Sequence, residues 1–414
     1  MKKVWIAGSG IRFPKGNAST NRLTEVAKGF ASNGYHVKLI PLECPETNTI
    51  QFNGKYKNIE YEVYPEIRKK PFYLLDYFLF FLLPLLKIKQ ISNQLSVKCE
   101  AEQVSIIFCG TSSVTDILLL YFITKRIDIA FIYDIVEDPF SSWLSKIRNV
   151  ASTKYKIKYF LNFLILILVY QLSWKLPHFV TVITEELHKK VSKYRKNDDS
   201  ILLLPIARFL EKGFPNVYNT ETLISNTIIH AGSTDFAKDG ILTILQSLKI
   251  LKKKAVKVRL EFYGNIGNSE ILRINGFIHE NGLDEFIEIK SMVDLQILYQ
   301  AQSKALALLC FKPDNLQNKF NLPTKLIDYL ESGRPIILSN LSTYKPYFKH
   351  LDNAFICNDF SAEKLAETIE FIYNHKELAN KVGGIGRKAL SQYFDSKKLV
   401  KNLLVKITNK SSYE

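Results

Sequence analysis

The chain is poor in the residues that staple or metallate a fold. Among its 414 residues there are five cysteines (Cys44, Cys99, Cys109, Cys310 and Cys357), and no two stand in C-x-x-C spacing. That spacing argues against a structural zinc site and a disulfide framework. Cys109 and Cys310 lie inside apolar, strand-like runs, and unpaired thiols of this kind fit a reducing cytoplasm. Acid is also short: 40 Asp and Glu face 56 Lys and Arg, a formal charge of +16. Such a surplus asks for an anionic partner, whether nucleic acid, acidic lipid headgroups or a phosphorylated ligand. No zinc finger, RNP signature or KH loop accompanies the charge, so nucleic acid is not the expected partner.

Long hydrophobic runs are missing too. The nearest are "PFYLLDYFLFFLLPLLKI" (71–88), which holds Asp76 and Pro84, and "YFLNFLILILVYQLSW" (159–174). Both fall short of the roughly 20 apolar residues that a spanning helix needs. Lys69, Lys70, Lys87 and Lys89 surround the first, and Lys154, Lys156, Lys158 and Lys175 the second. Two readings stand: helices buried in a large domain, or helices lying in a membrane interface with basic flanks on anionic headgroups. No signal peptide is expected, since Met1-Lys2-Lys3 runs at once into a strand-like segment.

What is present is a repeating β-then-α pattern in a chain that is 47% hydrophobic and 23% charged, enough for two or three domains with proper cores. "KKVWIAG" reads as a strand, followed by a Gly/Pro-rich turn, the amphipathic helix "ASTNRLTEVAKGFASNG" with Gly34 at its end, and the strand "YHVKLIP". Near-continuous apolar runs follow at 104–110, 129–137, 179–184 and 201–207, as parallel strands buried on both faces require. Residues 208–226 lose periodicity and read as a linker. A second series begins at "TIIHAGS" (227–233) and continues at 258–264, 286–291, 305–311, 334–340 and 353–358. Two helices close the chain. The expected architecture is α/β, with two Rossmann-like, doubly wound domains in tandem. The boundaries are 1–207, a linker at 208–226, 227–395, and a C-terminal helix at 396–414 that could pack back on the first domain.

Sites in such sheets form beyond the carboxyl ends of the strands. In the second series those positions carry "TDFAKDG", "NIGNSE", "MVDLQ" and "KPDNLQNKFNLP" leading into "TKLIDYLESG". Glycines, hydroxyls, lysines and helix N-termini gather at one edge, which is the chemistry of binding a phosphorylated ligand. Lys238 and Lys325 add full charges. Pro323 stiffens the entry to the last helix, and Thr324 can cap it or bond a phosphate oxygen. Lys325 and Asp328 share a helix face, while Leu326, Ile327 and Leu330 turn to the core. A capped helix with a surface Lys325–Asp328 salt bridge is the plainer alternative.

"FNLPTKLIDYLESGRPII" resembles the donor-binding signature of group 1 glycosyl transferases, family 4, of the GT-B fold. "HAGSTDFAKDGILTILQSLKIL" is similar to the first turn of their nucleotide domain, "GSGIRFPKGNASTNRLTEVAKGFASNGYHV" to their N-terminal glycine loop and helix, and "HFVTVITEELHKKV" to the end of their N-terminal domain. The likeness extends over nearly the whole chain. It implies a GT-B architecture, two Rossmann-like domains facing a central cleft. Lys238 and Lys325 would neutralise the donor diphosphate. Thr324 and the N–H groups after it, beginning with Leu326, would hold the β-phosphate, and Asp328 would accept from ribose hydroxyls. Ser291, Met292 and Val293 would flank the base. Gly232 and Ser233 would form the first turn, and Gly264 would let the chain approach the ligand. Gly10 and Gly16 would bracket a loop over the sugar. Asn17, Asn21 and Arg22 would lie on the acceptor side, with Glu137 as the acceptor-side catalytic carboxylate and Asp134 and Asp138 as competitors. One departure stands out: counting back from Asp328, Phe320 occupies the place of the family's first acid, which leaves Asn318, Lys319 or Asn321 to meet the sugar.

The implied activity is glycosyl transfer, hexosyl or related, from a nucleotide diphosphate sugar to a hydroxyl, with retention at the anomeric carbon. No cofactor or metal is required, because lysines and helix dipoles can stabilise the departing diphosphate. The basic balance adds a lipid-linked or surface-polysaccharide acceptor and a cytoplasmic protein held on the anionic inner face of the membrane. The alternatives are a catalytically silent partner subunit and a sugar-nucleotide epimerase of the same fold.

Overall fold

The computed structural model describes residues 2–9, 11, 18–42, 53–64, 88, 90–111, 113–141, 167, 171, 173–211, 225–232 and 234–411. The chain divides into two compact units, Met1–Leu210 with Asp395–Glu414, and Glu211–Phe394. Most of both apolar stretches, 71–88 and 159–174, and most of the expected linker lie outside the described residues. Among the described residues no helix is long and apolar enough to cross a membrane.

The first unit runs β1 (Lys3–Gly8), α1 (Ala18–Ser32), β2 (His36–Pro41), β3 (Asn53–Tyr56), β4 (Ile59–Glu62), β5 (Val104–Cys109), α2 (Val114–Ile127), β6 (Ala130–Ile135), β7 (Phe179–Val182), α3 (Glu185–Ser192) and β8 (Ile201–Leu203). Its sheet has the order β3-β4-β2-β1-β5-β6-β7-β8. Neighbours pair in parallel throughout, except β3 with β4. The apolar strands are covered on both faces, as their sequences require: Val4 to Ala7 and Ile107 to Cys109 are at most 1% exposed. Local chemistry sets the helix ends. Thr184 caps α3 by accepting from the Leu187 amide at 3.2 Å. Glu185 and Glu186 sit in its first turn, Lys189 and Lys190 in its last, each at the favourable end of the dipole.

The β3–β4 hairpin is absent from the sequence reading. Its turn residues Lys57 and Asn58 have φ of 48° and 66°, the paired left-handed conformation of a type I′ turn. Asn is a favoured residue for that conformation, and with the alternation in "IEYE" it was the available signal.

The second unit runs β9 (Thr227–Ala231), α4 (Ile241–Lys253), β10 (Arg259–Tyr263), α5 (Asn268–Asn281), β11 (Ile287–Lys290), α6 (Leu295–Lys304), β12 (Ala307–Cys310), α7 (Leu316–Lys319), α8 (Lys325–Ser332), β13 (Ile336–Ser339), β14 (Phe355–Cys357), α9 (Ala362–Asn374) and α10 (Lys376–Ala389). The sheet order is β11-β10-β9-β12-β13-β14, all parallel. Counted within the unit, this is 3-2-1-4-5-6, the doubly wound order whose direction reverses between its first and fourth strands. The reversal falls between β9 and β12. A crevice opens beyond the carboxyl ends of two strands at such a point, because their connections leave in opposite directions.

The last helix, α11 (Ser396–Ser411), belongs to the first unit. Val400, Leu403 and Ile407 join Leu23, Val26 and Phe30 of α1 in one apolar core. Gly29 allows the close crossing: a Cβ there would stand 2.7 Å from the Ser396 carbonyl oxygen and from Val400 Cγ2. The Ser396 amide donates to the Arg208 carbonyl at 2.9 Å. The Glu25 carboxylate accepts from the Phe209 amide at 2.6 Å, so residues 208–209 are tied to the first unit.

Candidate anion site at the strand switch point

Four charged or titratable side chains converge where β9 and β12 end. His230 comes from β9, Asp239 from the loop after it, Lys312 from the loop after β12, and Lys325 opens α8. Asp239 and Lys312 form a buried ion pair, their side chains 1% and 5% exposed. The Lys325 amine lies 3.3 Å from His230 Nε2. Tyr329, one turn along α8, accepts from the Ala231 amide at 2.8 Å and fixes the helix to the end of β9.

The charge balance is the informative feature. Burial alone would raise the Asp239 carboxyl, but Lys312, Lys325 and His230 hold it down at about 2. Asp239 is therefore ionised and committed to Lys312. Burial pushes the Lys325 ammonium below its ordinary range, and Lys312 and Lys238 push it the same way, against an upward pull from Cys310 and Asp239. A cation left in excess beside a neutralised pair is a standing attraction for an anion. Gly232 keeps the approach open: it has φ of 108°, and a Cβ there would lie 3.7 Å from Lys325 Cε and 3.8 Å from Nζ.

The two loops over this point are cross-linked. Asn318, 1% exposed, donates through Nδ2 to the carbonyls of Lys238 (2.8 Å) and Pro313 (2.9 Å). Asn315 donates to the Ala237 carbonyl at 3.2 Å and caps α7 by accepting from the Asn318 amide. Asp235 closes the β9 loop on itself, accepting from the Ala237 and Lys238 amides at 2.8 and 2.7 Å. Lys238 is thus held by its backbone while its side chain is only partly buried.

The structure brings Lys238, Lys325, Gly232 and the start of α8 to this one edge. Thr324 is exposed with helical backbone angles and makes no capping bond, so its expected capping role is replaced by a free hydroxyl at the helix start. Leu326 is buried, and its amide meets the Pro323 carbonyl at 3.1 Å. Asp328 is partly buried, and Ser291, Met292 and Val293 follow β11, with Met292 74% exposed. Gly264 serves a different purpose from the expected one. Its φ is 137°, and a Cβ there would overlap the Gly232 carbonyl oxygen, so its missing side chain lets the two turns touch each other. Phe320 is buried at 8% exposure at the end of α7. His230, Asp239 and Lys312 were missed as members of the cluster, since their partners lie 73 to 95 residues away, while Asn318, expected to meet the sugar, spends its amide on the two loops.

The residues expected on the acceptor side separate. Gly10, Gly16, Asn17 and Ser233 lie outside the described residues. Asn21 is exposed, and its side-chain oxygen accepts from Lys57 at 3.1 Å. Arg22 and Asp134 are corrected to structural roles. The guanidinium binds both carboxylate oxygens at 2.8 and 3.0 Å, and donates to the carbonyls of Leu204 and Pro205. Thr181 donates to Asp134 as well, at 2.7 Å, so neither charge is left for a ligand. Asp138 is likewise consumed, accepting from the Ser141 amide at 3.0 Å and from Lys190 at 2.7 Å. Glu137 beside it is exposed. At the corresponding switch point of the first unit, between β1 and β5, Ser9 and Thr111 hydroxyls lie 3.1 Å apart and the Ser9 amide donates to Asp116 at 2.9 Å.

These two doubly wound units define a chain of the GT-B fold, the fold of glycosyltransferases with two Rossmann-like domains. Solved structures cover it end to end. Sucrose-phosphate synthase from Thermosynechococcus elongatus superposes with a TM-score of 0.70 at 11% identity, over 100% of each chain. Anabaena HepE, in complex with UDP-glucose, gives 0.67 at 10% identity, over 99% of this chain and 100% of that one. The lipopolysaccharide outer core galactosyltransferase WaaB gives 0.62 at 13% identity, over 99% and 100%. Residues 224–389 match the model of the glycosyl transferases group 1, a span that includes the anion site. No curated protein sequence matches the chain.

Proposed function

We propose that the protein is a retaining glycosyltransferase that takes a sugar from a nucleoside diphosphate donor. The observation that carries this reading is the uncompensated Lys325 ammonium at the switch point of a group 1 domain, with Lys238 beside it. The diphosphate would lie over Gly232 against Lys325, at the N-terminal end of α8. In the reaction the bond from the anomeric carbon to the diphosphate oxygen breaks. The acceptor oxygen bonds to that carbon on the same face, and its proton passes to the departing diphosphate. The lysines stabilise the charge that develops there. No metal or cofactor is needed in this scheme.

The acceptor in this reading is a lipid-linked or surface-polysaccharide hydroxyl, used at the inner face of the cytoplasmic membrane. Its support is the +16 charge and the likeness in fold to an enzyme of lipopolysaccharide synthesis. The test is thermal shift with a panel of UDP-, ADP-, GDP- and dTDP-sugars, since a ligand of the folded state raises its melting temperature. At least one donor should raise it, and Lys325→Met should weaken that donor roughly 30-fold or more, as removal of a buried charged contact does. No shift with any donor, or an unchanged affinity in Lys325→Met, refutes the reading. The anomeric proton coupling of the product then reports retention.

A further inference from the structure

Helix α11 carries a solvent face that folding does not explain. Ser396–Ser411 contains five lysines and no acid. Its buried stripe is Ser396, Val400, Leu403 and Ile407, set against α1. At 100° per residue, Lys397, Lys401, Val405, Lys398 and Lys406 spread over the opposite half of the helix. All five are exposed, and Val405 is 50% exposed at the middle of that face.

Three features set this face apart from an ordinary solvated one. First, lysines on three other helices are balanced locally, Lys28 by Glu25, Lys189 by Glu186 and Lys364 by Glu367. Among the described residues no ion pair joins Lys397, Lys401 or Lys406. Second, Lys397 and Lys398 occupy the first turn, where the positive end of the helix dipole disfavours a cation. Third, Lys397 and Lys401 are four apart, a spacing at which like charges destabilise a helix. The sequence accepts these local costs and sets an apolar side chain among the charges. Flexible point charges around an exposed valine suit a fluid anionic interface, with the valine entering below the headgroups. The face offers no arginine fork and no aromatic ring, the usual means of gripping nucleic acid.

We propose that the outer face of α11 is a docking surface for an anionic lipid bilayer. It does not depend on the glycosyltransferase reading. The test is co-sedimentation with vesicles of phosphatidylcholine alone, and with 30% phosphatidylglycerol, at low and high salt. The wild-type protein should bind the anionic vesicles at low salt and release at high salt. The triple substitution K397E/K401E/K406E should lower partitioning by roughly a hundredfold, about fivefold per lysine. K397Q/K401Q/K406Q, with a melting temperature matching wild type, should show most of the same loss and guards against misfolding. A control, K249E/K253E/K257E, removes the same charge from exposed positions of the second unit and should leave binding within a fewfold of wild type. Equal loss in the control, no loss in either α11 variant, or tighter binding to duplex DNA than to vesicles would each overturn the proposal.

Discussion

Replacing Asp239 with asparagine tests whether the buried Asp239–Lys312 pair holds the site together. The carboxyl sits at about 2 in the fold against an ordinary 3.8. That difference corresponds to roughly 2 to 3 kcal/mol of stabilisation of the ionised fold. The substitution removes this and also leaves Lys312, 5% exposed, without its counter-charge. Breaking one side of a buried pair costs about 3 to 5 kcal/mol, and that is the loss expected in urea denaturation at pH 7. The double replacement Asp239→Leu with Lys312→Met removes both charges, and should recover most of the loss, because the stranded ammonium is gone. The pH dependence fixes the sign. The folded value lies below the unfolded one, so the stabilisation is complete above about pH 4 and disappears as pH falls through about 2. The gap between wild type and Asp239→Asn should therefore narrow from pH 4 downward. A loss under about 1 kcal/mol, or a gap constant from pH 7 to 2, would refute the ion pair as the link between the two loops.

Other substitutions probe separate parts of the structure. Gly264→Ala should cost about 2 to 5 kcal/mol in urea midpoint analysis, from backbone strain at φ of 137° and overlap with the Gly232 carbonyl. Tyr329→Phe strips the acceptor from the Ala231 amide and should cost about 1 to 3 kcal/mol, read in the same way. Arg22→Met should destabilise by about 3 to 5 kcal/mol, since it strands Asp134 within the first unit, and calorimetry should show a clear fall in melting temperature.

Apart from the β3–β4 hairpin, the strands of both sheets were legible because parallel strands buried on two faces read as unbroken apolar runs. The second-unit edge was legible for a related reason: Gly232, Lys238, Thr324 and Lys325 each follow a strand or open a helix, and that topology brings them together. Charged residues whose roles depend on distant partners were not legible. Arg22 and Asp134 look like site residues in a one-dimensional reading, yet they lie 112 positions apart and satisfy one another in the core. His230 and Lys312 erred the other way. Each sits at the end of an apolar strand and reads as an incidental polar residue, until folding sets it beside Lys325 or Asp239. Gly264 shows the same limit for backbone: a glycine after a strand signals a close approach, but not to what.

The placement of α11 bears on how the chain is made. The apolar side of α1 is synthesised early, but part of what covers it, Val400, Leu403 and Ile407, emerges only after the entire second unit. At about 5 to 20 residues per second, that interval is on the order of ten to forty seconds on the ribosome. The second unit is contiguous and can complete itself as it emerges. The first unit must wait with an uncovered apolar strip, so a truncation before Ser396 would leave a nascent chain whose opening domain is the sticky one.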